Sequence, residues 1–272
     1  MASEFIDIDW AGRTVRIEHQ WIAREKAEAP LVIFLHEGLG SVAMWHDFPQ
    51  QVCVATGCRG LVYSRPGYGR STPRAADEAW GLDFMHRQAH EVLPALLMAL
   101  DIATAPSKSQ KKKVWLLGHS DGGSIALLYA ARFPDALAGA VVLAPHIKVE
   151  AVSIQSIAEA KTAYEQTDLR ERLARYHDDP DSAFWGWATV WLDKTFLTWS
   201  IEQALSPITC PLLAIQGLDD AYGTMAQIRG IARQVPQTRL LELPGCGHSP
   251  HRDKAALVTA AVAALVNSGA RR

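Results

Sequence analysis

Six short runs of nearly continuous apolar residues set the pattern of this chain: PLVIFLH (30–36), RGLVYS (59–64), KKVWLLG (112–118), LAGAVVLAP (137–145), PLLAIQG (211–217) and TRLLELP (238–244). Strands buried on both faces have this composition, and most of the runs are followed by a stretch of helical periodicity. The expectation is an α/β fold, with a mostly parallel sheet flanked by helices. Upstream, EFIDIDWAGRTVRIEHQWI alternates apolar and polar residues on either side of Ala11-Gly12. That pattern predicts an antiparallel hairpin and completes an eight-stranded sheet. In such a sheet ligands sit beyond the carboxyl ends of the strands. The residues that follow each run are therefore the ones to read for chemistry.

The stretch from Pro145 to Pro211 is too long for a single crossover. VSIQSIAEAKTAYE, DLRERLARYH and DSAFWGWATVWLDKTFLTWSIEQAL all have helical character, with Asp168 and Asp181 placed as N-caps. Residues 147–206 are accordingly read as a helical lid inserted after the sixth strand, and 1–146 with 207–272 as the core domain. The charged segment SKSQKKK (107–113) reads as a solvated loop.

Composition narrows the function classes. A chain of 272 residues with 49% hydrophobic residues can bury a full core. Its 27 basic and 29 acidic residues leave a formal charge of −2, too weak a field to suggest nucleic acid or an anionic membrane as partner. A small-molecule substrate is the expectation, with homo-oligomerisation left open. The first 19 residues are acidic where a secretory leader would be basic, and no apolar run approaches a membrane span, so a cytoplasmic protein is expected. Cys53, Cys58, Cys210 and Cys246 form no CxxC pair and no metal-ligand spacing with histidine; buried thiols are expected, with no metal site.

The run KKVWLLG leads into LLGHSDGGSIALLYAARFP, where Ser120 lies between a strand and a helix with Gly118 and Gly122 two residues to either side. A sharp turn crowds side chains at those flanking positions, and glycine removes the clash while the hydroxyl projects from the sheet. A serine hydroxyl is a weak nucleophile at neutral pH and needs a base, which in turn needs an orienting acid. The run PLLAIQG leads into LDDAYGT, which offers Asp219 and Asp220, and TRLLELP leads into GCGHSPHRD, which offers His248 and His251. All of these fall at the same sheet edge in the order Ser, Asp, His. An oxyanion would meet the backbone N–H of Asp121 at the helix N-terminus and a second N–H from the glycine-rich loop HEGLGS (36–41).

With HEGLGSVAMW, YSRPGYGRS, GHSDGG, QGLDD and GCGHSPH in place, the chain resembles the α/β-hydrolase superfamily over almost its whole length. The resemblance implies Ser120 as nucleophile, Asp220 as acid, three residues after Gly217, and His248 as base. Gly38 becomes the second oxyanion donor, and no cofactor is needed. Two departures stand out: Glu37 where many relatives have glycine, and Asp121 where many have an uncharged residue. Both place a carboxylate near the expected pocket and disfavour an anionic group beside the reacting carbonyl, with Arg65 as a candidate to neutralise Glu37.

The remaining candidates are weighed by position. His146 follows the sixth strand at the active edge, and Trp185, Trp187 and Trp191 sit on the inserted helices; all four, with Glu37 and His251, are candidate substrate-binding residues. Phe184, Trp187 and Trp191 share one helical face, with Trp185 on another. His119 is expected to pack away from Ser120, and Tyr68 to be structural. The resulting expectation is a serine hydrolase cleaving an ester of a small apolar or aromatic substrate through an acyl-enzyme. A lactonase, a thioesterase or a C–C bond hydrolase would share the machinery, and a ligand-binding receptor could be built on the same fold.

Overall fold

The computed structural model describes residues 2–75, 77–102 and 114–269. The charged segment 107–113 lies outside the described residues. Every apolar run becomes a strand: β3 (Leu31–Leu35), β4 (Arg59–Tyr63), β5 (Val114–His119), β6 (Gly139–Leu143), β7 (Leu212–Gly217) and β8 (Thr238–Leu243). They follow the hairpin of β1 (Glu4–Trp10) and β2 (Arg13–Ile22), in which Trp10 faces Arg13 across the turn. The eight strands form one sheet in the order β1-β2-β4-β3-β5-β6-β7-β8. β2 meets β4 antiparallel, and all pairings from β4 to β8 are parallel.

The period-two geometry of a strand explains why these runs are apolar throughout. In β3, Leu31, Ile33 and Leu35 enter one core while Val32 and Phe34 enter the other. The second core is closed by α1 (Phe48–Thr56), through Phe48, Val52 and Cys53. The first takes Phe84 and Met85 of α2 (Phe84–Arg87), Leu93, Leu96 and Leu97 of α3 (Leu93–Ala99), and α4 (Asp121–Arg132), which is buried over most of its length. Because these strands run parallel, their carboxyl ends and the turns that follow share one edge.

Between β6 and β7 the chain forms α5 (Ala151–Gln166), α6 (Leu169–Leu173) and α7 (Pro180–Trp191), followed by two 3₁₀ turns, Lys194–Thr198 and Glu202–Leu205. The third helix is shorter than its pattern predicts. It ends at Trp191 with Leu192 as its C-cap, and the Asp193 carboxylate takes the Thr195 N–H at 2.7 Å to start a 3₁₀ turn. The N-cap of α7 is Asp179, which accepts from Ser182 N at 2.9 Å, and not Asp181. Asp181 instead sits in the first turn and accepts from Tyr164 Oη at 2.6 Å and from Arg170. Asp168 does stand at the N-cap of α6, without a side-chain cap bond. The insertion leaves and rejoins the core through a narrow neck, where Ile201 N donates to Ile147 O at 2.7 Å and Val149 N to Trp199 O at 3.2 Å. Beyond it come α8 (Ala226–Gln234), α9 (Pro250–Asp253) and α10 (Ala255–Gly269); α10 packs with α1 in the second core. Among the described residues no helix is long and apolar enough to cross a membrane.

Candidate active site

β5 ends at His119, and the chain turns into α4 through Ser120, whose φ of 52° and ψ of −120° are rare for a residue with a side chain. The surroundings hold it there. A Cβ at Gly118 would overlap the Gly122 carbonyl, and one at Gly122 would overlap the Leu35 carbonyl. Ser120 N donates to Leu143 O at 2.9 Å, which ties the turn to β6. Asp121 begins α4, so its N–H has no carbonyl four residues back within the helix to bond.

β7 and β8 deliver the other two groups. Ser120 Oγ lies 2.9 Å from His248 Nε2, and His248 Nδ1 lies 2.9 and 3.0 Å from the two Asp220 carboxylate oxygens. Asp220 also accepts from Tyr222 N at 2.8 Å and from Gln216 Nε2 at 3.2 Å. Burial pushes the Asp220 carboxyl upward, but the hydrogen bond and charge of His248 and the Tyr222 N–H outweigh it, and the group stays below the usual carboxylate range. Burial moves His248 the other way, below its ordinary value, against the pull of Asp220. Asp219 points to solvent. The pair of hydrogen bonds fixes the imidazole with its proton on Nδ1 and its lone pair on the serine hydroxyl, an arrangement that can accept the serine proton as Oγ attacks.

These groups open onto a cavity of about 220 Å³ lined by Glu37, Gly38, Leu39, His119, Ser120, Asp121, His146, Ile157, Trp187, Trp191, Tyr222, His248 and Ser249. Glu37, Gly38, Asp121, His146, Trp187 and Trp191, named from the sequence, are among the lining residues. Trp187 presses on the loop after β3, because a Cβ at Gly38 would collide with its indole nitrogen. Trp191 Nε1 donates to Asp121 Oδ1 at 3.3 Å. The His146 ring stands 5.8 Å from that of His248 and 4.9 Å from that of Trp191.

Two candidates are elsewhere. Trp185 faces away from the cavity, with its ring edge-on to Tyr164 and Phe184 and lining a separate cleft with Trp80 and Arg74. One residue along a helix turns a side chain by about 100°, which separates it from Trp187. His251 is 3% exposed and packs against Trp45 and Phe48, with ring centroids 5.1 and 5.4 Å away. It does not line the cavity.

Two pairings also differ from expectation. Arg65 does not meet the Glu37 carboxylate: its Nη2 donates to the Glu37 backbone carbonyl at 2.8 Å and lies 3.9 Å from Asp121 Oδ2. Glu37 is approached by His119 Nδ1 at 3.5 Å and Arg252 Nη2 at 3.7 Å. His119, expected only to pack, donates through Nε2 to the His248 carbonyl at 2.7 Å and forms part of the cavity wall. Tyr68 is buried against Trp80 and His36, as a structural residue would be.

Tyr222, Ile157, Leu39 and Ser249 line the cavity without having been singled out in the sequence. Tyr222 had a signal, since it lies two residues beyond Asp220 in the loop after β7. Its ring is 4.7 Å from that of His248, and the loop is fastened to α5, where Ser153 Oγ donates to Tyr222 O and Ser156 Oγ to Ala221 O at 2.6 Å.

The fold and this geometry define an α/β hydrolase, and the chain belongs to the alpha/beta hydrolase family, whose model matches residues 32–261. Over 274 residues it is 24% identical to the bifunctional esterase/perhydrolase DCH of Acinetobacter calcoaceticus, covering 89% of this chain and 93% of that one. It is 22% identical over 267 residues to a 2-hydroxy-6-oxo-6-phenylhexa-2,4-dienoate hydrolase of Comamonas testosteroni, covering 85% of each. A 29% identical match to the protein PHYLLO of Arabidopsis thaliana spans 142 residues, 51% of this chain and 7% of that far longer one. The structure of a thermophilic esterase from Thermogutta terrifontis superposes with a TM-score of 0.72 over 99% of both chains at 16% identity, a likeness of fold.

Proposed function

We propose that the protein is a serine hydrolase that cleaves a carboxylic ester, or a close acyl relative, through an acyl-enzyme. The observation that carries this reading is the unbroken Ser120–His248–Asp220 chain, with 2.9 Å at each link, whose serine and histidine line a cavity. Ser120 Oγ bonds to the carbonyl carbon as its proton passes to His248 Nε2. Asp220 keeps the imidazole in the required tautomer and stabilises its positive charge. The N–H groups of Gly38 and Asp121 hold the oxyanion. Collapse breaks the bond to the leaving oxygen, which takes the proton from His248. Water, activated by the same histidine, then releases the acid. No step calls on a cofactor.

Residues 147–206 act as a lid in this scheme, since Ile157, Trp187 and Trp191 line the same cavity as the serine. The flat indole surfaces suit a bulky or aromatic group. The buried thiols of Cys53, Cys58 and Cys246 fit a reducing, cytoplasmic setting. The relatives named as esterase and as dienoate hydrolase span most of the chain; that no arginine or lysine among the described residues lines the cavity to receive a carboxylate supports the ester reading. A turnover screen of aryl esters, lactones and thioesters, with Ser120→Ala as control, tests the proposal. Ester cleavage that vanishes in the variant supports it; inert esters with a cleaved vinylogous diketone would replace it with C–C hydrolysis.

A further inference from the structure

Arg65 does not line the cavity, yet it stands between the two residues whose N–H groups the hydrolytic scheme uses. It is fully buried, with its guanidinium 4.6 Å from the centroid of the Tyr68 ring. One nitrogen, Nη2, donates to the Glu37 backbone carbonyl at 2.8 Å and lies 3.9 Å from Asp121 Oδ2. The same carbonyl accepts from Gly40 N at 3.1 Å and meets His36 Nδ1 at 2.7 Å. His36 Nε2 accepts the Arg65 N–H at 3.0 Å, so the ring proton sits on Nδ1 and that contact is a donation to Glu37 O. Burial, and after it the Arg65 charge, holds His36 well below its ordinary value, which keeps the ring neutral. Glu37 C=O and Gly38 N–H belong to one peptide unit, and in a planar trans unit the two point to opposite sides. Donors gathered on the carbonyl therefore turn the Gly38 N–H away from Arg65. That N–H makes no hydrogen bond among the described residues, and Gly38 lines the cavity.

Resting on the serine-hydrolase reading of this site, we infer that Arg65 is a positioning residue for the oxyanion: it fixes the plane of the Glu37–Gly38 peptide, sets the gap between the Gly38 and Asp121 N–H groups, and puts a buried positive charge on the far side of that peptide. The strand order makes this reach possible. β3 lies between β4 and β5, so a residue just beyond β4 extends across the end of β3 to the start of α4. Taking a guanidinium out of water is costly, and an ion pair spanning 3.9 Å offsets that cost poorly. Its charge has another use here. A cation at the carbonyl end polarises the peptide in the sense that strengthens its N–H as a donor. Because the group is already in place, nothing reorganises as negative charge grows on the substrate oxygen. The tetrahedral state therefore gains more than the bound substrate does.

The test uses three compounds that share the 3-phenylpropanoyl group: its 4-nitrophenyl ester as substrate, 1,1,1-trifluoro-4-phenylbutan-2-one as tetrahedral-state analogue, and 4-phenylbutan-2-one as comparator. Ser120 Oγ bonds to the trifluoromethyl ketone carbon, its proton passes to His248, and the carbonyl electron pair becomes an oxyanion; the methyl ketone binds without addition. Arg65→Met is expected to lower kcat by about 100-fold, the cost of a misplaced oxyanion donor, with KM changed by less than about threefold. The inhibition constant of the trifluoromethyl ketone should rise by a like factor while that of the methyl ketone stays put. Arg65→Lys keeps the charge but loses the planar fork, and is expected to shift the same ratio by about tenfold. Inhibition constants do not depend on the fraction folded. Where Arg65→Met alone fails to fold, the double variant Arg65→Met, Asp121→Asn removes both buried charges and is expected to show the same shift. Equal weakening of both ketones, a raised KM at constant kcat, or variants that match wild type would overturn the inference and make Arg65 a packing residue. In that case wild-type protein still cleaves the ester and binds the trifluoromethyl ketone tightly. Wild-type protein that does neither would remove the serine-hydrolase reading, and the inference with it.

Discussion

The His119 side chain, one residue before Ser120, donates through Nε2 to the backbone carbonyl of His248 at 2.7 Å, with its ring 5.2 Å from the His248 ring. The strand that presents the nucleophile thereby also holds the loop that presents the base. His119→Ala is expected to lower kcat by about tenfold, the equivalent of one hydrogen bond, with a smaller change in KM. The rate at which a serine-directed phosphonate reacts should fall in proportion. A role in packing alone would lower the melting temperature and leave both rates unchanged.

Asp220→Asn is expected to reduce kcat by roughly 10⁴ through the wrong imidazole tautomer. Asp219→Asn should be mild, because that side chain is exposed whereas the Asp220 side chain is 1% exposed and bonded to His248. Steady-state kinetics of the two variants decide the matter. A larger loss at Asp219 would assign the acid to the wrong neighbour.

The acid limb of kcat/KM is expected below the ordinary histidine value of 6.5, because burial lowers the His248 imidazole and only its neutral form can take the serine proton. Rate is therefore retained as pH falls through 6.5 and is lost further down, as Nε2 becomes protonated. A pH profile on a neutral ester measures the midpoint. A limb above 6.5 would mean that Asp220 outweighs burial, and a flat profile would remove histidine as base.

Much of this site was legible because it rests on periodicity. Ser120 and Asp220 each follow an apolar run that becomes a doubly buried strand, His248 follows the run of the edge strand β8, whose Arg239 and Leu240 are exposed, and parallel strands bring all three positions to one edge. The failures share a different cause. Trp185 and Trp187 lie on an insertion whose two faces are both apolar, so the pattern could not say which one meets the cavity. His251 is buried by Trp45 and Phe48, some 200 residues earlier in the chain. Arg65 chose Asp121 over Glu37 through the stacking of β4 and β5 on either side of β3, which no local pattern encodes. Asp179 displaced Asp181 as cap because Pro180 takes the first helical position.

The lid tryptophans separate by substrate. Trp187→Ala is expected to cut kcat/KM for a bulky aryl ester by roughly 5- to 150-fold, the equivalent of about 1 to 3 kcal/mol of lost contact, with far less effect on an acetate ester. Trp185→Ala, outside the cavity, should treat the two esters alike. Kinetics on both esters check this, and equal losses from Trp187→Ala with a lowered melting temperature would make that residue structural.

The central claim is that Ser120 is a nucleophile activated by His248. Mass spectrometry of the intact protein after treatment with a serine-directed fluorophosphonate, followed by peptide mapping, tests it most directly. One adduct per chain is predicted, on Ser120, formed slowly in His248→Ala and absent in Ser120→Ala. An unlabelled Ser120 in folded protein, or ester turnover that survives Ser120→Ala, would contradict it.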